Sequence, residues 1–227
     1  SWLSREILAF SVFAALATAY AVLAWFGPNV KLQESLGWAV VLAGMSGVVC
    51  SIMIYRSTHR RFWSGSATSL KFLLTTLALG AATMLLTSVV AAACAPVLQL
   101  TQVLNEYGAS LAKLLIAAAG TKLLFEAASL RHLRAKQNSP AKRSAVLMTG
   151  PLARTTAGRF ACGLVGGVVL PALLLAHVTE GRASPSGPFV GVVVLASFVA
   201  CLIGELLERF LFFTAVVAPR MPGRLVT

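Results

Sequence analysis

The chain contains 227 residues, of which 58% are hydrophobic and only 11% are charged. A soluble domain of this length needs far more polar surface, so the composition is typical of an integral membrane protein. In a soluble protein the formal net charge of +12 would suggest a nucleic-acid partner. Here the basic residues lie in connecting segments with few interleaved aromatic residues, which argues against nucleic-acid binding.

Six apolar blocks, taken in chain order, are each long enough to cross a bilayer as a helix, which requires about 20 residues. They lie at Leu3–Phe26, Leu36–Tyr55, Leu70–Ala95, Gly108–Leu130, Gly158–Val178 and Phe189–Val217. Pro171, inside the fifth block, is predicted to kink its helix, which a helix bundle tolerates. The sequence therefore predicts an all-α fold: a polytopic transmembrane helix bundle of six spans, forming one domain over residues 1–227.

Basic residues are concentrated in the connections after the second and fourth blocks and in the C-terminal tail. They are Arg56, Arg60 and Arg61, then Arg131, Arg134, Lys136, Lys142, Arg143, Arg154 and Arg159, and finally Arg220 and Arg224. The other connections are close to neutral. Because lysine and arginine are enriched in cytoplasmic loops, we predict that the basic loops and both chain ends are cytoplasmic.

Cysteine and histidine are not arranged as metal ligands. The four cysteines stand singly within apolar blocks and no CxxC motif occurs, so we expect no iron–sulfur cluster and no other metal site in this chain. The three histidines, His59, His132 and His177, do not form a facing pair within the spans. We therefore expect no haem.

Ionisable residues inside spanning helices are costly and are functional candidates by default. They occur in three blocks: Arg5 and Glu6 in the first, Lys113, Lys122 and Glu126 in the fourth, and Glu205, Glu208 and Arg209 in the sixth. A rise of ~1.5 Å per residue predicts that Glu6, Glu126 and Glu205 lie at one depth, close to the basic loops.

Helical spacing also predicts how these charges pair. Lys122 and Glu126 are separated by four residues, as are Glu205 and Arg209, and residues so spaced face each other on one helix. Together with Glu208, these residues are therefore candidates for structural ion pairs. Glu6 differs, because its neighbouring cation, Arg5, points to another side of the helix. A carboxylate in a helix's first turn also favours the positive end of the helix dipole, so Glu6 is either a structural cap or a functional group.

Three stretches together resemble the membrane-anchor subunit of the dimethyl sulfoxide reductase family. They are SWLSREI at 1–7, MIYRSTHRRFW at 53–63 and GELLERFLFFTAVVAPRMPG at 204–223. The resemblance runs over essentially the whole chain. It implies an all-helical anchor of about eight spans, so an N-terminal pair of helices is expected to be missing here.

The resemblance also implies a function in anaerobic respiration in the bacterial inner membrane. Such an anchor draws on the quinone pool and oxidises menaquinol, a bound substrate, while the anchor itself holds no haem. Its electrons pass to an iron–sulfur subunit and then to a catalytic subunit that carries molybdopterin. In the best-known members that catalytic subunit is exported, which implies a periplasmic docking face, whereas the charge pattern of this chain predicts a cytoplasmic one.

The resemblance further implies a quinol site. Glu6 matches an acidic residue of the S-x-E-I stretch that is implicated at that site, whereas a histidine implicated upstream has no counterpart in this chain. Quinol oxidation needs a base at the quinol hydroxyl, and we predict that Glu6 is this proton acceptor. Trp2, Arg5 and Glu205 are predicted to bind the quinol with it. Docking of the iron–sulfur subunit is predicted at Arg56, Arg60, Arg61, Phe62 and Trp63.

Two alternatives stay open at this point. One is a proton or ion transporter that uses Lys122, Glu126 and Glu205. Such proteins usually place their charges at the bilayer midplane and show inverted repeats, whereas the predicted charges here lie near one face. The other is a purely structural anchor without a quinol site.

Overall fold

The computed structural model describes residues 1–27, 29–57, 65–94, 104–134, 139–179 and 187–215. Every secondary-structure element within these ranges is helical. The α-helices are α1 Trp2–Phe26, α2 Val30–Ser57, α3 Gly65–Cys94, α4 Ala109–Ser129, α5 Pro140–Thr149, α6 Ala153–Leu164, α7 Leu170–Thr179 and α8 Gly187–Thr214. Six helical stretches are long and apolar enough to cross a membrane, which confirms the predicted all-α, polytopic bundle.

The fifth span is longer than the sequence predicts. It runs over Ala153–Val178, whereas the apolar block begins only at Gly158. Arg154 therefore lies in a spanning helix, as does Arg159, although the charge pattern groups both with the basic loop. The predicted loop before it contains the short helix α5. Ser139 caps α5 by accepting a hydrogen bond from the backbone N–H of Lys142, and Pro140 occupies its first turn, both of which favour a helix start.

The fifth span departs from α geometry immediately before Pro171. Residues Val165–Val169 form a π-helical turn between α6 and α7, and the N–H of Leu170 bonds to the carbonyl of Val165. Proline lacks the N–H that an α-helix would use at this position. A π turn is one of the recognised ways in which a helix accommodates such a gap, and the predicted irregularity therefore lies where Pro171 requires it.

The chain groups into two compact units, Ser1–Leu73 and Leu74–Thr227. In the first unit α1 packs antiparallel to α2, with aromatic rings of α1 seated on glycines of α2. A Cβ atom on Gly47 would lie 2.8 Å from the ring of Phe10, and one on Gly44 would lie 3.2 Å from the ring of Phe13. Only glycine leaves room for rings at this separation, so these pairs hold the two helices in register.

The second unit has an apolar core formed by the later part of α3 with α4, α7 and α8. Leu115 and Val190 are fully buried in it. Small residues bring the helices together: a Cβ atom on Gly166 would lie 2.7 Å from Ala200, and one on Gly167 would lie 2.4 Å from Ala119. Close approach through small residues is characteristic of helix packing in membranes.

Candidate functional site

A carboxylate and a hydroxyl face each other across the first unit. The hydroxyl of Ser51 on α2 donates a hydrogen bond to Oε1 of Glu6 on α1. Ser51 is only 7% exposed, while Glu6 is half-buried. The guanidinium of Arg5 lies over the ring of Trp2, 4.6 Å from the ring centroid. The first two turns of α1 therefore carry a carboxyl group, a guanidinium and an indole.

The register of the hairpin places Glu6 opposite Ser51. Four pairs face each other along the two helices: Glu6–Ser51, Phe10–Gly47, Phe13–Gly44 and Tyr20–Gly37. The spacing of the four residues on α1 is the reverse of the spacing on α2, as antiparallel helices in constant register require. The aromatic–glycine contacts thus align the polar pair at the end of the row.

Ser51 is a site residue that the sequence reasoning missed. Ser51 is not ionisable, and a serine within an apolar block is not distinctive by itself. The available signal was the mirrored spacing of the α1 and α2 residues. Read as an antiparallel hairpin, that spacing puts a hydroxyl opposite Glu6.

In the second unit, a buried arginine joins two carboxylates. Arg159 on α6 is 3% exposed. Its Nε and Nη2 atoms each lie 3.0 Å from an oxygen of Glu126 on α4, which is the bidentate geometry that makes such pairs strong. Nη2 also lies 3.2 Å from Oε1 of Glu205 on α8. One guanidinium therefore connects α4, α6 and α8.

A buried lysine forms the other half of this cluster. Lys122 on α4 has no exposed surface, and its ammonium contacts Oε2 of Glu205 and lies 3.8 Å from Oε2 of Glu208. Lys122 also donates to the hydroxyl of Thr75 on α3, which in turn donates to Oε2 of Glu205 at 2.7 Å. We call Thr75, Lys122, Glu126, Arg159, Glu205 and Glu208 the charge cluster.

The pairing predicted within single helices is wrong for Lys122 and Glu126. Lys122 pairs with α8, and Glu126 pairs with Arg159 of α6. The two oxygens of Glu205, predicted to pair with Arg209, are held by Lys122, Thr75 and Arg159. Contacts across helices replace the i,i+4 pairs because the helices approach closely at this level.

Arg159 is the second residue that the sequence reasoning missed, because it was counted with the basic loop. Two glycines make room for its side chain: a Cβ atom on Gly163 or on Gly204 would lie 3.0 Å from its Nη1. Gly163 follows Arg159 by one helical turn and Gly204 directly precedes Glu205. Glycines at those two positions were the signal for a bulky polar group between α6 and α8.

The predicted site residues are therefore divided between the two units. Glu126 and Glu205 lie together through Arg159, as their predicted depth implied, whereas the depth of Glu6 relative to them stays a prediction. Trp2, Arg5 and Glu6 share the first turns of α1. Arg56 is exposed at the end of α2. The other predicted docking residues, Arg60, Arg61, Phe62 and Trp63, lie outside the described residues.

The helices and their buried polar groups by themselves define a class of protein. Six spanning helices, a half-buried carboxylate and a buried ion-pair cluster characterise a polytopic helical membrane protein with polar groups inside the bilayer. Within the described ranges, no three His, Cys, Asp or Glu side chains group as metal ligands.

Comparison with protein families then narrows this class. The chain belongs to the family described as DMSO reductase anchor subunit (DmsC), whose model matches residues 1–214. This confirms the resemblance found in the sequence. Membership implies a membrane-anchor subunit of a DMSO reductase complex. Comparisons with the curated proteins and with the solved structures gave no match.

Proposed function

We propose that this chain binds menaquinol, oxidises it, and passes the electrons to an iron–sulfur subunit that supplies a molybdopterin-carrying catalytic subunit. Membership of the anchor-subunit family supports the place of the chain in such a complex. The observation that supports quinol chemistry in this chain is the pairing of Glu6 with Ser51.

The geometry of Glu6 suits a proton acceptor. Oxidation of a quinol releases two electrons and two protons, so a base must stand at the quinol hydroxyl. Ser51 donates to Oε1 of Glu6, and within the described part of the chain Oε2 makes no hydrogen bond. Oε2 is therefore available to accept a proton from a quinol, while the bond from Ser51 fixes the direction of the carboxylate.

Trp2 and Arg5 complete the proposed site. Arg5 stands one residue before Glu6 on α1 and lies over the ring of Trp2. The indole of Trp2, covered on one face by Arg5, offers a flat apolar surface beside the carboxylate. Quinol binding by Glu205, which belongs to the second unit, stays a prediction, and both of its oxygens are already hydrogen-bonded.

The basic residues support docking and orientation. Arg56, with Arg60, Arg61, Phe62 and Trp63, is proposed to bind the iron–sulfur subunit through an acidic surface, since complementary charge steers and orients association. The positive-inside rule supports placing this face on the cytoplasmic side of the bacterial inner membrane.

The test is Glu6→Gln in the assembled complex, reconstituted in liposomes with a menaquinol analogue. Glutamine preserves the shape and can still accept from Ser51, but it cannot take up the quinol proton. We expect normal assembly and normal binding of a quinone-analogue inhibitor, with quinol-dependent turnover lowered by roughly 100-fold or more, the usual size of a general-base effect.

The matched control is Glu34→Gln, which removes an exposed carboxylate of α2 near the far end of the hairpin. It should leave turnover unchanged. Normal turnover in the Glu6→Gln complex would show that another group accepts the proton. Failure of the wild-type complex to bind the inhibitor or to oxidise the quinol would favour a purely structural anchor.

A further inference from the structure

The charge cluster is not used by the proposed chemistry at Glu6, and its members divide into two parts. Arg159 and Glu126 form a bidentate pair with both N···O distances at 3.0 Å. A guanidinium does not release its proton in proteins. This pair is therefore a fixed element that holds α4 to α6.

The other part consists of groups that can all exchange a proton. Lys122 faces both Glu205 and Glu208: its ammonium donates to Oε2 of Glu205 and lies 3.8 Å from Oε2 of Glu208. Thr75 adds a second link, because its hydroxyl accepts from Lys122 and donates to Glu205. A lysine ammonium only donates hydrogen bonds, but the neutral amine that is left when it gives up a proton can accept a proton from a second carboxyl group.

We propose that Lys122 is a proton shuttle between Glu205 and Glu208. In the first step an N–H bond of Lys122 breaks and an O–H bond forms on the Glu208 carboxylate, leaving a neutral amine. The amine then takes the proton of a protonated Glu205 and is an ammonium again. The net result is one proton moved from Glu205 to Glu208, with no other atom or electron transferred.

The direction of this movement follows from α8. Glu208 is three residues closer than Glu205 to the C-terminal end of the helix, a displacement of about 4.5 Å along the axis. That end precedes the segment that contains Arg220 and Arg224. The shuttle thus moves a proton along α8 toward the C-terminal end of that helix.

Lysine at this position is more than a means of neutralising carboxylates. Arg159 already provides a permanent, five-donor cation within the same cluster, and it holds helices α4, α6 and α8 together. Lys122 is fully buried, and its ammonium, unlike a guanidinium, is a group that can pass a proton to a neighbouring base. The polar groups that contact it come from α3 and α8: Thr75, Glu205 and Glu208. Arg159 and Glu126 join the cluster through Glu205.

The shuttle rests on the proposed function for its supply of protons, because quinol oxidation releases them. The test compares Lys122→Arg with Lys122→Met in the reconstituted complex. Electron delivery is followed at the catalytic subunit, and proton release is followed with a membrane-impermeant pH dye, in H2O and in D2O. Arginine keeps the positive charge and its pairs but cannot pass on a proton.

We expect the Lys122→Arg complex to assemble better than the Lys122→Met complex. Turnover and proton release should both stay about 10-fold or more below wild type, as expected when a proton-transfer group is lost. The solvent isotope effect should rise, because proton transfer becomes rate-limiting. Lys113→Arg is the control, since Lys113 is exposed on the same helix, and it should behave as wild type.

Wild-type turnover and an unchanged isotope effect in Lys122→Arg would overturn the shuttle and leave a charge-neutralising role. If Lys122→Arg does not assemble, Glu208→Gln decides, because it removes one end of the shuttle and leaves Lys122 bonded to Glu205 and Thr75. Its expected result is the same slowing, with Glu106→Gln as an exposed control, and normal turnover would overturn the proposal. If the wild-type complex oxidises no quinol, both the proposed function and the shuttle are refuted. If the wild-type complex is active and the deciding variant, Lys122→Arg or Glu208→Gln, has normal turnover, only the shuttle is refuted.

Discussion

Replacing Arg159 by methionine should sharply destabilise the second unit. The substitution keeps an unbranched side chain between Gly163 and Gly204 but removes two hydrogen bonds to Glu126 and one to Glu205. Glu126 is only 4% exposed, so its carboxylate would be left buried without a cation. Breaking a buried ion pair by removing one partner typically costs about 3–5 kcal/mol, and we expect a loss of that size.

The assay is equilibrium unfolding of the purified protein in mixed micelles, followed by tryptophan fluorescence. Arg154→Met is the matched control, because Arg154 is exposed on the same helix, and it should change the free energy of unfolding by less than ~0.5 kcal/mol. Arg159→Lys should fall between wild type and Arg159→Met, because an ammonium preserves the charge but not the bidentate geometry.

A double variant separates pairing from packing. Removing both partners, as in Arg159→Met with Glu126→Met, leaves no uncompensated charge at Glu126, and such replacements are often close to neutral. The double variant should therefore be more stable than Arg159→Met alone. A loss below ~1 kcal/mol in the single variant, or a double variant that is no more stable than the single one, would refute the view that a buried ion pair holds these helices.

Two further predictions concern the first unit. Ser51→Ala removes one hydrogen bond to a carboxylate, worth about 1.5–3 kcal/mol, and should lower quinol-dependent turnover by roughly 10-fold or more. The control is Ser46→Ala, which changes an exposed serine of the same helix and should have no effect. Equal turnover in the two variants would show that Ser51 does not position Glu6. Gly47→Val introduces a Cβ that would lie 2.8 Å from the ring of Phe10, so it should lower both stability and turnover. Gly80→Val is the control, because a Cβ at Gly80 meets no atom within 4 Å, and it should lower neither stability nor turnover. If the Gly47→Val complex has the stability and turnover of the wild type, the register of α1 and α2 is not needed.

The span count followed directly from the sequence because crossing a bilayer imposes a length and an apolar composition on each helix. The start of the fifth span did not, since Arg154 interrupts its apolar character and the predicted block began only at Gly158. A charged residue ends a hydropathy pattern even when its helix continues. Arg159 is accommodated in that helix because Glu126 and Glu205 neutralise it.

The cluster itself was only partly predictable. The rise along each helix predicted that Glu126 and Glu205 lie at similar depth, and they meet at Arg159. Spacing along one helix could not reveal which helices are neighbours, so it assigned partners within helices. The distance between facing side chains depends on small residues such as Gly163 and Gly204. Those glycines carry the information that a search for charges alone leaves out.

Glu6 was predicted from the family resemblance and not from helical spacing. The resemblance singled out Glu6, and the bond from Ser51 then appeared in the hairpin. The mirrored spacing of α1 and α2 encodes that bond, but only once the two helices are taken to be antiparallel neighbours. Short connections between successive spans make that assumption reasonable for any polytopic bundle.

The most direct test of the central claim is reduction of the iron–sulfur subunit by a menaquinol analogue, followed by electron paramagnetic resonance in the assembled complex. The wild-type complex should show clusters reduced by the quinol. In the Glu6→Gln complex, the clusters should stay oxidised with quinol yet become reduced with dithionite, which bypasses the anchor. Cluster reduction by quinol at the wild-type rate in Glu6→Gln would contradict the account.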